Sequence, residues 1–366
     1  MPALDGLRGV AILLVVMSHA AGGRAAAQSI FHNVVGWAMT FGLPGWADRI
    51  SIGTDRGVQL FFVISAFTLT VQAMRHRGED LGRYALRRVA RIGPAFWLAA
   101  LFYALFAGLG PHMWAPHGIA PADMVLGAAF ASAWQGGAAM AVVPGGWSIS
   151  CEVAFYLALP LLIPLTGGRI PRAVLLTLVS LALAQARAWA VMRAGGWGFP
   201  AYIHPIEQAP AFCCGVTAAL VALQCRLPRV RGLVAAVLAG AVIGLPLLGI
   251  PVWWALPNLP FAVLAAIAVA FAAAHPPAWL TGRGLRHVGT ISYSLYLVHF
   301  AVLAPSLSLA MHLRPATDGI TLLLHDAITL ALSMPLASLT YAVIERPPIR
   351  WAARFTRPAP PVPATA

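Results

Sequence analysis

Ten stretches of about 17–24 residues run along this chain with almost no charge, and each can span ~30 Å of hydrocarbon at about 1.5 Å per residue. They fall at 4–22, 57–74, 93–110, 147–165, 173–192, 206–223, 232–250, 258–274, 288–310 and 320–344. A backbone inside lipid has to satisfy its own hydrogen bonds, so such runs are read as helices. The fold class they imply is all-α: a polytopic integral membrane helical bundle of about ten transmembrane helices. Composition agrees. Of the 366 residues, 60% are hydrophobic and 10% charged, where a soluble domain carries about 25% charged residues. That is too little charge to clothe a soluble globule of this size. A secreted disulfide scaffold, a disordered chain and an ordinary cytosolic enzyme are excluded on the same ground.

Arginine supplies the whole basic inventory: the 24 Lys and Arg residues are all Arg. Without Lys the chain cannot be a P-loop NTPase or a Schiff-base enzyme, pyridoxal-type included. The net charge of +13 is spread over short connections between apolar runs, which argues against a nucleic-acid partner and for a topology signal. One stretch, 121–143, is apolar but broken by Trp134-Gln135-Gly136-Gly137. Suppose it does not fully cross and the N-terminus is cytoplasmic. Arg75, Arg77, Arg83, Arg87, Arg88, Arg91, Arg169, Arg172, Arg226, Arg229, Arg231, Arg283, Arg286, Arg346, Arg350, Arg354 and Arg357 then all lie inside. Only Arg24, Arg49, Arg56, Arg193 and Arg314 lie near outer helix ends. A full crossing at 121–143 would destroy that bias. The positive-inside rule therefore gives ten spans, both termini cytoplasmic, and a short or re-entrant element at 121–143.

The remaining segments are brief. Residues 23–55, with Phe31, Trp37, Phe41 and Trp46, read as an outer interfacial lid. The membrane domain covers 1–350, and 351–366 read as a Pro/Ala-rich, disordered cytoplasmic tail. The first apolar run contains Asp5 and Arg8 and lacks a basic leader, so no cleavable signal peptide is expected. Cys151, Cys213, Cys214 and Cys225 fit no zinc or redox spacing.

Ionisable groups inside spans are costly and mark function. The first span carries Asp5, Arg8 and His19. Eleven residues of helix return to within about 20° of the starting direction and rise about 16 Å, so Arg8 and His19 share one face at opposite depths. Counted by helical rise, Gln59, Glu152 and His299 fall toward the outer half, which suggests a polar cluster of His19, Glu152 and His299. At the inner mouth Arg8 shares its level with Arg87, Arg88 and Arg91. Guanidinium forks bind phosphate in bidentate fashion, so these four form a candidate anion site. A polyphosphate head on a long thin arm fits such a layout, and coenzyme A thioesters have that shape. His beside a carboxylate is a general base for a hydroxyl. Two other readings stay open from the residues alone: a transporter or flippase for an anionic substrate, in which the same charges line a path, and a membrane scaffold in which they merely pair.

The motifs also form a known series. Leu4-Asp5-Gly6-Leu7-Arg8-Gly9-Val10-Ala11-Ile12 leads to His19. Gly57-Val58-Gln59-Leu60-Phe61-Phe62-Val63-Ile64-Ser65-Ala66-Phe67 follows. Then come Arg87-Arg88-Val89-Ala90-Arg91-Ile92-Gly93-Pro94 and Trp147-Ser148-Ile149-Ser150-Cys151-Glu152-Val153-Ala154-Phe155-Tyr156. The stretch from Ile291 to His299, with Tyr293, and Ile344-Glu345-Arg346-Pro347 close it. In this order the chain resembles membrane acyltransferase family 3, whose members O-acylate surface polysaccharides, Nod factors and some macrolides. Gln59 stands where the family often has an acid, and Ala66 where it often has Gly.

The resemblance implies a bacterial inner-membrane O-acyltransferase. Its donor is acyl-CoA, with acetyl the commonest group, used as a co-substrate with no permanently bound cofactor and no metal. Its acceptor is a hydroxyl of a carbohydrate or of a lipid-linked or exported glycan. It implies His19 as base with Glu152 in support, and Arg8, Arg87, Arg88 and Arg91 on the acyl-CoA. Asp5, Gln59, Ser65, Trp147, Ser148, Tyr156, Tyr293 and His299 take supporting places. Were an acyl-enzyme formed, His19 is the expected carrier rather than Cys151.

Overall fold

The computed structural model describes residues 1–21, 50, 53–75, 80–111, 115, 117–136, 139–196, 198–248 and 255–356. Its principal helices are α1 (Pro2–Ala21), α2 (Gly57–Arg75), α3 (Leu81–Phe106), α4 (Pro121–Ala128), α5 (Gly146–Thr166), α6 (Ile170–Arg193), α7 (Pro205–Gln224), α8 (Leu233–Ala239), α9 (Ala255–Ala274), α10 (Arg283–Thr290), α11 (Ser292–Leu313), α12 (Gly319–Thr340) and α13 (Arg346–Thr356). No strand occurs among the described residues.

The described parts of the ten apolar runs are largely helical, although 288–310 divides between α10 and α11 at Ile291 and 232–250 gives only the stretch Leu233–Leu247. Eight helical segments are long and apolar enough to cross a membrane, and two shorter apolar stretches, Leu233–Leu247 and Leu259–Ala274, accompany them. The outer surface is built as lipid demands. Leu105, Leu157, Leu161, Leu178 and Leu183 are all exposed, and a water-facing surface would not carry so many together. Polar punctuation sets the ends. Asp80 caps α3 by accepting from the Arg83 amide (2.9 Å), and Asp318 caps α12 through the Thr321 amide (2.9 Å). Side-chain oxygens here replace the partners that a first helical turn lacks.

The 121–143 stretch behaves as the arginine distribution requires. Its helix α4 has 8 residues, which rise about 12 Å, less than half the hydrocarbon thickness. Behind it, Met140, Ala141, Val142 and Val143 are buried, so the chain turns back within the bundle.

Helix α7 is packed on α2, α6 and α9, while α1 lies against α10, α2, α11 and α12. Glycine makes the α1–α10 approach possible. A Cβ at Gly289 of α10 would overlap the Asp5 carbonyl, and one at Gly9 of α1 would overlap the Leu285 carbonyl. This backbone-to-backbone seating fixes the rotation of α1, and with it the direction of Arg8 and His19.

At the arginine-rich end, Gln224 donates to the Gly168 carbonyl (2.7 Å) and His275 meets the Leu227 carbonyl (2.8 Å). These bonds tie the chain reversals that carry Arg169, Arg226 and Arg229.

Two sequence expectations need restating. The tail expected from 351 onward starts later: residues 351–356 belong to α13, an amphipathic helix that packs on α3 and buries Ala352. Its Pro347 and Pro348 lie just past the wide turn at Tyr341–Glu345, inside the continuous helical stretch Gly319–Phe355, where each removes a ladder donor. Residues 357–366, and nearly all of the outer lid expected at 23–55, lie outside the described residues.

A glycine comparison on α10 checks the seating. Gly284 has open space around it, whereas Gly289 has none. Gly289→Ala should lower thermal stability by about 1–3 kcal/mol, the usual range for overpacking. Gly284→Ala should be neutral or slightly stabilising. Equal melting temperatures for the two variants in detergent would contradict close α1–α10 contact.

Candidate active site

A cavity of about 280 Å³ opens among α1, α2, α3, α5, α11 and α13. Its charged lining is Arg8, Arg87, Arg88, Arg91 and Glu152. Four guanidinium groups thus face one carboxylate, which leaves the lining with a net positive charge. Arg87, Arg88 and Arg91 share the α3 segment, and the one-turn spacing of Arg87 and Arg91 puts them on one face. Arg88 lies over the rings of Tyr84 and Tyr156, 5.7 Å from each centroid, within the range of cation–π attraction. Arg8 pairs with Asp5 at 3.6 Å.

The acids here hold the arginines in place. Glu152 Oε1 accepts from Ser65 Oγ (2.7 Å) and from the Tyr156 hydroxyl (2.5 Å). The Tyr156 carbonyl in turn accepts from Tyr84 (3.0 Å), and Tyr293 donates to the Ile92 carbonyl (2.8 Å). Arg91 lies within Coulombic reach of Glu345 and Glu152, and Arg8 within reach of Glu152. Glu345 is buried and accepts from Ser294 Oγ (2.7 Å). Sequence reasoning gave it no role, although one acid at the end of the last apolar run was a signal. A wide turn at Tyr341–Glu345 inserts an extra residue into the helix, and such π-bulges commonly re-aim a functional side chain.

The outer group forms differently from the sequence expectation. His19 Nδ1 stands 2.9 Å from His299 Nε2. The two rings stack with centroids 5.1 Å apart, and Phe300 packs on both at 4.5 and 4.1 Å. His19 and His299 are therefore together, but Glu152 is not with them. Helical rise counted from the outer surface puts Glu152 beside His19. In fact α5 begins inside the bundle, at Gly145. There φ is +75°, and the Gly145 carbonyl accepts from Tyr296 (2.9 Å) and Ser148 (3.0 Å). A Cβ at Gly145 would lie 2.5 Å from the Tyr296 hydroxyl oxygen. Seven residues further, about 10 Å by helical rise, Glu152 has descended to the arginines.

Gln59 is also elsewhere. It donates to the Tyr202 hydroxyl (2.7 Å) and to Gln208 Oε1 (3.1 Å) in a buried neutral network. Trp147 is buried edge-on to Phe62. Ser148 donates to the Tyr296 hydroxyl (2.9 Å) at the cavity's outer end. Cys151 is buried and donates to the Ile203 carbonyl (3.4 Å), and it does not line the cavity. Between cavity and histidines stands Tyr296, its ring 5.7 Å from His299.

A helical bundle with lipid-exposed leucines, a buried arginine-lined cavity and a histidine pair above it defines a multi-pass membrane protein with an enzyme-like interior. Residues 1–342 match the family described as an acyltransferase domain, acyltransferase 3, and the chain belongs to that family. It is a membrane acyltransferase. It is 28% identical over 373 residues to BcsY of Komagataeibacter xylinus, whose name assigns it provisionally to the membrane-bound transacylases. The match covers 94% of this chain and 81% of that relative. No solved structure matches the chain.

The arginine–acid pairing has a stability consequence. Arg91→Leu leaves Glu345 without its main counter-charge and should cost about 1–3 kcal/mol, as for a buried polar group losing its partner. The double variant Arg91→Leu/Glu345→Leu should recover part of that loss in thermal unfolding. Strictly additive effects would show that the two do not interact.

Proposed function

We propose that this membrane acyltransferase uses cytoplasmic acyl-CoA, with acetyl as the acyl group, and acylates a hydroxyl of a carbohydrate or of a lipid-linked or exported glycan. The observation that carries the reading is the vertical order along α1: an arginine-lined cavity at Arg8 and a histidine pair at His19. Arg8, Arg87, Arg88 and Arg91 bind the donor phosphates. Glu152, held by Ser65 and Tyr156, spaces the guanidinium groups. The thin arm of the donor runs outward past Tyr296, whose hydroxyl has to leave Gly145 for the thioester to reach His19.

The transfer then needs one base. His19 takes the proton of the acceptor hydroxyl as the oxygen attacks the thioester carbonyl. A C–O bond forms, the C–S bond breaks, and the coenzyme A thiolate leaves with its electron pair to be protonated. The arginine bias supports a donor port and both termini on the cytoplasmic side, and the family resemblance supports a bacterial inner membrane as the setting. A transporter reading uses the same charges, but membership of an acyltransferase family favours consumption of a thioester.

Two experiments test the proposal. Purified protein with acetyl-CoA should release free thiol, water standing in for the acceptor hydroxyl, and His19→Ala should reduce this by 100-fold or more, at least the lower range for loss of a general base. Arg88→Ala should raise the KM for acetyl-CoA with little change in kcat. Substrate movement without thiol release would favour transport instead. For orientation, Cys225 is exposed and lies in the α7–α8 connection. A membrane-impermeant maleimide should reach Cys225 from the cytoplasmic side only, and a cysteine introduced by Ala316→Cys from the outer side only. The reverse pattern would invert the topology.

A further inference from the structure

The bonding of the second histidine settles how the first one is poised. His299 Nδ1 lies 3.1 Å from the carbonyl oxygen of Leu295, one turn back on α11. A carbonyl can only accept, so His299 carries its proton on Nδ1. In the neutral ring the other nitrogen, Nε2, is then a bare acceptor. That acceptor is 2.9 Å from His19 Nδ1, so His19 must donate there and carry its own proton on Nδ1. His19 Nε2 is left as a lone pair, free to take a proton. The opposite arrangement needs His299 doubly protonated. It would bury an imidazolium between Phe300 and Tyr296, where the hydrogen bonds of His299 go to the Leu295 carbonyl and to His19 and none goes to a carboxylate among the described residues. An unpaired buried cation is too costly to be the resting state.

We propose that His299 is the positioning residue of the transfer site: it holds His19 as the Nδ1–H tautomer and so presents His19 Nε2 to the acceptor hydroxyl. This deepens the reading of His19 as base and rests on it. In serine hydrolases a carboxylate does this work; here a neutral imidazole anchored on a backbone carbonyl does it. The arrangement survives the reaction. When His19 Nε2 gains the hydroxyl proton, His19 Nδ1–H still donates to His299 Nε2, and the new positive charge faces an acceptor. His325 is not part of this relay, because its Nε2 engages the Leu303 carbonyl (3.1 Å) one turn further out.

Full-length protein in nanodiscs, with thiol release from acetyl-CoA as the assay, tests the assignment. His299→Leu keeps the volume and removes the acceptor. It should lower kcat by roughly 100-fold, the scale of a lost base function, and leave the KM for acetyl-CoA within about twofold. His299→Gln restores an acceptor oxygen near the former Nε2 and should recover most of kcat. A His299→Leu enzyme with native kcat, or Gln and Leu variants impaired alike, would overturn the role. The ¹⁵N spectrum of histidine-labelled native protein needs no variant to fold: it should show His19 with Nδ1 protonated and Nε2 bare, and the opposite tautomer would refute the proposal. Native activity in His19→Ala would instead remove the base reading itself, which the tautomer measurement leaves separately decided.

Discussion

The close seating of α1 on α10 is the constraint from which the rest follows. Glycines at Gly9 and Gly289 bring backbone against backbone, so α1 cannot rotate without steric overlap. With that rotation fixed, Arg8 turns to the cavity and His19 to α11. A helix crossing lipid would ordinarily hide neither charge nor imidazole at such depth. Here each is received: Arg8 by Asp5 on its own helix and by Glu152 across the cavity, His19 by His299 on α11.

The inner cavity shows how a membrane interior tolerates four arginines. Burial of a lone guanidinium is costly; these four are only half-buried, and the protein sets Glu152, Glu345 and tyrosine faces among them. The compensation is incomplete, because arginines outnumber the acids on the lining. That surplus is the feature on which the proposed binding of a polyphosphate donor rests.

Much of this was legible in the sequence, for physical reasons. Hydrocarbon thickness fixes span length, so the eight long helices and the two shorter apolar ones could be found from apolar runs, and the break at 134–137 marked 121–143 as a short element. The eleven-residue step from Arg8 to His19 also survived, because α1 is a regular helix. Depth failed where the chain departed from regularity. The positive-φ turn at Gly145 starts α5 inside the bundle and carries Glu152 down to the arginines. The wide turn before Arg346 swings Glu345 inward. Neither feature has a periodic signature. Residues 351–356 were read as tail because a short amphipathic helix gains its stability from packing on α3 rather than from its own composition.

One labelling measurement bears most directly on the claim that α1 joins a donor port to a working imidazole. Bromoacetyl-CoA places an alkylating carbon at the acyl methyl position, one bond beyond the thioester carbonyl. Applied to a Cys225→Ser protein and followed by peptide mass spectrometry, it should alkylate His19, with free coenzyme A protecting that position. Adducts only on other residues, or labelling of His19 that coenzyme A does not suppress, would contradict the account.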